Sequence, residues 1–158
     1  GGSIIPSVGN YSSEADYQTD KLNLAIYFDP QVTVKQAQMY NDDGISSDAL
    51  SSGAYELLSF NGAATKINKQ SHYALRLSRE LPNPSGFSEA PDQRAMQVSM
   101  HHWPHRPTGI KFQNQPLAQL LSRTEFELEQ TGAFYDDKKQ ILHVKFIWRH
   151  DDAELNIK

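Results

Sequence analysis

Hydrophobic and polar residues alternate with a period of two along much of this chain. In "KLNLAIYF" Leu22, Leu24, Ile26 and Phe28 fall on one face, while Lys21, Asn23 and Tyr27 fall on the other. "SHYALRLSRE" sets Tyr73, Leu75 and Leu77 against His72, Arg76 and Ser78. "AMQVSMHHW" sets Met96, Val98 and Met100 against Gln97, Ser99 and His101. "ILHVKFIW" sets Leu142, Val144, Phe146 and Trp148 against His143 and Lys145. Side chains of an extended backbone point alternately to its two faces, so each run predicts a half-buried strand, with Trp148 in the core. A closing strand is predicted in "DAELNIK", with Leu155 and Ile157 facing inward.

Turn chemistry separates these runs. "DDKK" at 136–139 joins two apolar flanks and predicts a hairpin. "LPNPSGFSEAPDQ" at 81–93 carries three prolines and predicts a long surface loop. The one helix-like spacing, Leu117, Leu120, Leu121 and Thr124, is too short to support a helical layer, and "TEFELEQ" after it alternates as a strand would. Many short strands without a repeating strand–helix pattern predict an all-β fold, an antiparallel β-sandwich.

The totals narrow the function classes. The chain has 158 residues, 38% hydrophobic and 22% charged, which suffices for a real core. A net charge of −4 offers no basic stripe for nucleic acid. No apolar run approaches the roughly 18 residues of a membrane span. Without cysteine, disulfides, thiolate zinc sites and thiol nucleophiles are excluded. The chain opens on "GGSIIP", in what reads as a strand, and is expected to be a piece of a longer protein.

Candidate chemistry is sparse. Asp42 and Asp43 are adjacent, so in a strand they face opposite ways, whereas a glycosidase needs its carboxyl groups roughly 5–10 Å apart across a sugar. Asp followed by Gly44 is ordinary turn composition, and the stretch is read as a turn. A calcium reading draws on Asp42, Asp43 and Asp48, with Asn41 beside them, although the spacing is not that of an EF-hand loop. "MHHWPHRP" gathers three histidines, but Pro104 prevents a helix from aligning His102 with His105, so a strand end entering a loop is expected. Aromatic rings available to stack on a sugar are Trp103 and Tyr40, with Tyr11 and Phe87 as further candidates. No nucleophile elbow, dinucleotide fingerprint or phosphate loop occurs, and no catalytic residue is assigned.

An ordered set of segments resembles glycoside hydrolase family 31, the α-glucosidase and α-xylosidase family. "GGSIIP" resembles that family's R-x-G-S-I-I-P stretch, and "MYNDDGIS" at 39–46 resembles its "LYEDDG-S" turn, with Asn41 where Glu or Trp is common. "GAYELLSF" resembles its Tyr-and-Phe strand, "GIKFQNQPL" its "V-x-V-N-G-x-x-L" hairpin, and "AFYDDKKQILHVKF" its "Y-D-x-x-x-x-x-L-x-V-K-F" ending. The resemblance implies C-terminal β-domains following a catalytic (β/α)8 barrel that lies outside this chain. Residues 1–35 would then be the tail of the proximal domain, a short partial β segment, and 36–158 the distal sandwich. Asp42, Asp43 and Gly44 would form the family's acidic turn, structural or interdomain. The implied function is a non-catalytic accessory domain that packs on and stabilises the barrel of an enzyme acting on α-linked oligosaccharide. Two alternatives are a carbohydrate-binding module using Trp103 and Tyr40, and a calcium-stabilised sandwich. The unpaired proximal strands, "SIIP" and "LNLAIYF", are expected to expose an apolar face through which the fragment dimerises.

Overall fold

The computed structural model describes residues 1–9, 19–42, 44, 46–88 and 90–158. Eleven strands and two short helices follow one another in the described residues: β1 (Ile4–Val8), β2 (Lys21–Tyr27), β3 (Val34–Asp42), α1 (Ala49–Ser52), β4 (Tyr55–Ile67), β5 (Gln70–Glu80), β6 (Arg94–His101), β7 (Ile110–Phe112), β8 (Gln115–Pro116), α2 (Arg123–Leu128), β9 (Gly132–Asp136), β10 (Ile141–Trp148) and β11 (Ala153–Ile157). They form two facing sheets, a five-stranded one ordered β1-β2-β6-β10-β9 and a six-stranded one ordered β3-β4-β5-β11-β7-β8. All pairings are antiparallel except β2 with β6. The expected all-β sandwich is therefore the architecture of the chain.

Each sheet turns its apolar parity toward the other. Leu22, Leu24 and Ile26 stand beside Met96, Val98 and Met100 in the β2–β6 register, and Val98 stands beside Val144 of β10. Opposite them lie Leu58 and Phe60 of β4, Leu75 and Leu77 of β5, and Leu155 and Ile157 of β11, all fully buried. Trp148 packs edge-on against Phe60 across the core, with ring centroids 6.4 Å apart. At roughly 25 cal/mol per Å² of apolar surface, this single inter-sheet layer dominates the favourable terms of folding.

Two expectations change. "TEFELEQ" is largely helix α2, not strand. Ser122 Oγ accepts from Glu125 N at 3.2 Å while Glu125 Oε2 accepts from Ser122 N at 3.1 Å, a reciprocal capping box that nucleates the turn. Only Phe126 of this segment is buried and Leu128 is exposed, so the apparent alternation had no core to face.

The division at residue 35 is also absent as a physical boundary. β1 and β2 complete the same sheet as β6 and bury Ile4, Leu22, Leu24, Ile26 and Phe28 in the common core. The apolar face expected to lie open on "SIIP" and "LNLAIYF" is thus covered by the opposing sheet, and only Ile5 and Tyr27 of these strands are exposed hydrophobic side chains.

Candidate functional site

The acidic turn lies at one pole of the sandwich, where β3 ends and β4 begins. Asp42 Oδ1 accepts a hydrogen bond from Gly44 N at 2.9 Å, and Gly44 has a φ of 66°, in the left-handed region that glycine enters without penalty. Asp42 here closes a turn on its own backbone. Asp43 lies outside the described residues. Asp48 precedes α1 with an exposed side chain that makes no capping bond, while its carbonyl accepts from Ser52 N at 2.9 Å. Among the described residues no group of three His, Asp or Glu side chains is placed to hold a metal ion.

Beneath the turn is a buried charge network that sequence reasoning missed. Glu56 of β4 and Arg94 of β6 are both fully buried, and the Arg94 guanidinium donates to Glu56 Oε1 across the gap between the two sheets. Asn41 Nδ2, one residue before the turn, donates to the same oxygen at 3.0 Å and to Thr19 Oγ1 at 3.3 Å. Arg94 Nε donates to the carbonyl of Thr19 at 2.7 Å. Glu56 Oε2 has no hydrogen-bond partner among the described residues and lies 3.9 Å from Arg79 Nη1, so it feels a second cation without bonding to it.

His150, in the β10–β11 connection, stands between the two arginines. Its Nδ1 is 2.9 Å from Arg79 Nη1 and its Nε2 meets Arg94 Nη1. Guanidinium groups only donate, and a neutral imidazole accepts through one nitrogen. Burial, reinforced by the positive charges of Arg94 and Arg79, pushes the His150 pKa down to about 4. Burial likewise lowers the Arg94 pKa, against the opposing pull of Glu56. The network thus contains one carboxylate, two guanidinium groups and a neutral ring, and its chemistry is that of a clamp joining the sheets beneath the acidic turn.

A signal for this clamp was present in the alternation. Glu56 shares the parity of Leu58 and Phe60, and Arg94 shares that of Met96, Val98 and Met100. Opposite charges at inward positions of two strands are costly unless they meet.

The aromatic candidates separate. Trp103 is 0% exposed, lies edge-on to Phe28 at 4.8 Å, and cannot stack on a sugar, because the strand end folds its ring beneath the opposite pole of the core. Its carbonyl accepts from Tyr135 Oη at 2.9 Å. Phe87 is buried as well. Tyr11 lies outside the described residues. Tyr40 is 45% exposed and stacks on Tyr55 with ring centroids 5.3 Å apart, which leaves this pair as the aromatic surface on the outer face of the six-stranded sheet.

No protein-family model and no curated protein sequence matches the chain. Solved structures do match its fold. A glycoside hydrolase family 31 dextranase from Flavobacterium johnsoniae, solved with isomaltotriose, superposes with a TM-score of 0.74 at 19% identity, over 99% of this chain and 19% of that one. The same dextranase with glucose gives a TM-score of 0.72 at 18% identity. A cycloalternan-forming enzyme from Listeria monocytogenes, solved with a pentasaccharide substrate, gives 0.57 at 16% identity, over 99% of this chain and 13% of that one. The chain spans 19% or less of the length of these structures, and its fold is that of a segment of the glycoside hydrolase family 31 dextranase and of the cycloalternan-forming enzyme.

Proposed function

We propose that the chain is a non-catalytic accessory β-sandwich of a family 31 glycoside hydrolase of the α-glucosidase type. It packs on a (β/α)8 catalytic barrel and stabilises it, and the parent enzyme acts on α-linked gluco-oligosaccharide. The observation that supports this reading is the fold match, in which nearly all of this chain corresponds to 19% of a dextranase. The chemistry of the acidic pole agrees with it. Asp42 bonds its own turn, and the buried carboxylate, Glu56, is held by Arg94 and Asn41. Asn41 ties the acidic turn to the inter-sheet clamp, so the clamp would fix any surface that the turn presents to a neighbouring domain.

The test is an activity and stability measurement on the 158-residue chain. It is expected to unfold cooperatively and to release no glucose from isomaltotriose or from an aryl α-glucoside. Glucose release that tracks the purified chain would overturn the reading. In a parent enzyme carrying this segment, its deletion is expected to lower the melting temperature of the barrel.

A further inference from the structure

The outer face of the six-stranded sheet carries a polar band that neither the core nor the clamp uses. In the cross-strand register Asn61 stands beside Arg76, and Arg76 beside Glu154. One step along, Ser59 stands beside Ser78. A solvated outer face accounts for polar residues at these positions, but not for their shape. Between β4, β5 and β11 the surface dips into an open groove of about 350 Å³, with Leu77 and Ala153 contributing apolar lining among polar residues that include Asn61, Arg76, Ser78 and Asp152.

The groove combines fixed and unspent hydrogen-bonding groups. Glu154 is held by Arg76 Nε at 2.7 Å on one oxygen and by Asn156 Nδ2 at 2.7 Å on the other. Gln113 is fixed by two bonds, donating to the Asp152 carbonyl at 3.2 Å and accepting from Glu154 N at 3.3 Å. Arg76, whose side chain is 76% exposed, bonds through Nε among the described residues and leaves its two terminal nitrogens open to solvent or a ligand. The side chains of Asn61 and Ser78 and the carboxylate of Asp152 make no hydrogen bond among the described residues.

This set both donates and accepts within one small hollow. Two carboxylates against one guanidinium disfavour phosphate or sulfate, and the guanidinium disfavours a metal cation. A neutral ligand with adjacent hydroxyl groups satisfies both kinds of partner. Farther along the same face lies exposed Tyr40, stacked on half-buried Tyr55. Tyr40 stands beside Leu57, four residues before Asn61, or roughly 13 Å along the strand at about 3.3 Å per residue. An extended oligosaccharide would lie in the groove and reach these rings, whose faces suit the C–H surface of a sugar.

The geometry points to a non-catalytic oligosaccharide-binding groove on this face, with Asn61, Arg76, Ser78 and Asp152 as its hydrogen-bonding residues and Tyr40 as its aromatic extension. The choice of an α-gluco-oligosaccharide rests on the proposed function above. In the parent enzyme such a groove would hold a glucan chain at a distance from the catalytic barrel.

The test is an amide NMR titration of the chain with isomaltotriose, with glycerol at equal hydroxyl concentration alongside. Saturable shifts centred on residues 61, 76, 78 and 152 are expected, and Asn61→Ala and Ser78→Ala should each weaken binding about tenfold without moving the melting temperature. A longer isomalto-oligosaccharide should bind more tightly, and Tyr40→Ala should abolish that gain. Absence of saturable shifts, shifts centred elsewhere, or equal shifts with glycerol would overturn the groove. Equal binding by Asn61→Ala would do the same. Those outcomes leave the accessory reading intact, whereas hydrolysis of isomaltotriose during the titration overturns the accessory reading instead.

Discussion

Replacing Arg94 with Met keeps much of its length and removes its charge. Glu56 would then remain fully buried with Asn41 Nδ2 at 3.0 Å and Arg79 3.9 Å away. Breaking one side of a buried ion pair costs about 3–5 kcal/mol, because the remaining charge has lost its compensation in a poorly solvating interior. For a domain of this size each kcal/mol lowers the melting temperature by about 2–4 °C, so a drop of about 10 °C is expected. Glu56→Met should cost a similar amount, since Arg94 would retain neutral partners, the Thr19 carbonyl and hydroxyl and His150, and no carboxylate among the described residues. The double variant Glu56→Met/Arg94→Met should be more stable than either single one, because an apolar pair across the sheets needs no compensation. Urea denaturation of all four proteins measures this, with the slope against denaturant checking that the unfolding reaction is unchanged. Additive losses, with the double variant the least stable, would refute the view that charge compensation holds these two side chains together.

Three further outcomes follow from other parts of the molecule. His150 has a pKa of about 4 in the folded chain against an ordinary 6.5, so its neutral form favours the folded state fully above pH 6.5, and that stability is lost as pH falls toward 4. The ring is only half-buried, so solvent screening reduces the loss to about 1–2 kcal/mol, and His150→Asn, which tolerates the backbone φ of 66° there, should lose that much less between pH 7 and pH 4 in parallel urea titrations. At Gly62 an added Cβ would lie 1.9 Å from Tyr73 Oη, so Gly62→Ala should destabilise by about 1–3 kcal/mol, and a melt unchanged from wild type would contradict the packing described. Calcium and EDTA should leave the melting temperature unchanged, since Asp42 already bonds Gly44 N, and a calcium-dependent rise reversed by EDTA would instead make Asp42 and Asp48 ligands.

Legibility from sequence followed the length and burial of each element. β2, β5, β6 and β10 bury every second residue for seven residues or more, so their periodicity could be read directly. α2 could not, because it buries only Phe126, and its six residues are specified by the Ser122–Glu125 cap more than by a hydrophobic face. The place of β1 and β2 was missed for a different reason. Period two shows that Leu22, Leu24 and Ile26 face a core but not whose core, and the parallel pairing of β2 with β6 joins residues some seventy positions apart. Trp103 failed as a sugar platform on the same ground, since ring type does not tell which side of a strand end is covered.

The residues that carry the most interest were hidden by opposite means. Glu56 and Arg94 broke the apolar pattern at inward positions, a conflict visible in the chain, but each strand taken alone gave no sign of the other. Asn61, Arg76, Ser78 and Glu154 obeyed the pattern at outward positions, and so looked like ordinary solvated face. Only the register of three strands, one of them from the far end of the chain, brings them around one hollow. The clamp joins the two sheets and anchors Asn41 under the acidic turn, while the groove lies on the outer face of the sheet whose strand β4 carries Glu56. Loosening the clamp should therefore weaken sugar binding before it unfolds the chain. In Glu56→Met, isomaltotriose affinity should fall at a temperature where the fold is still fully populated, and an unchanged affinity would show that Glu56 and Asn61, on opposite faces of β4, act independently.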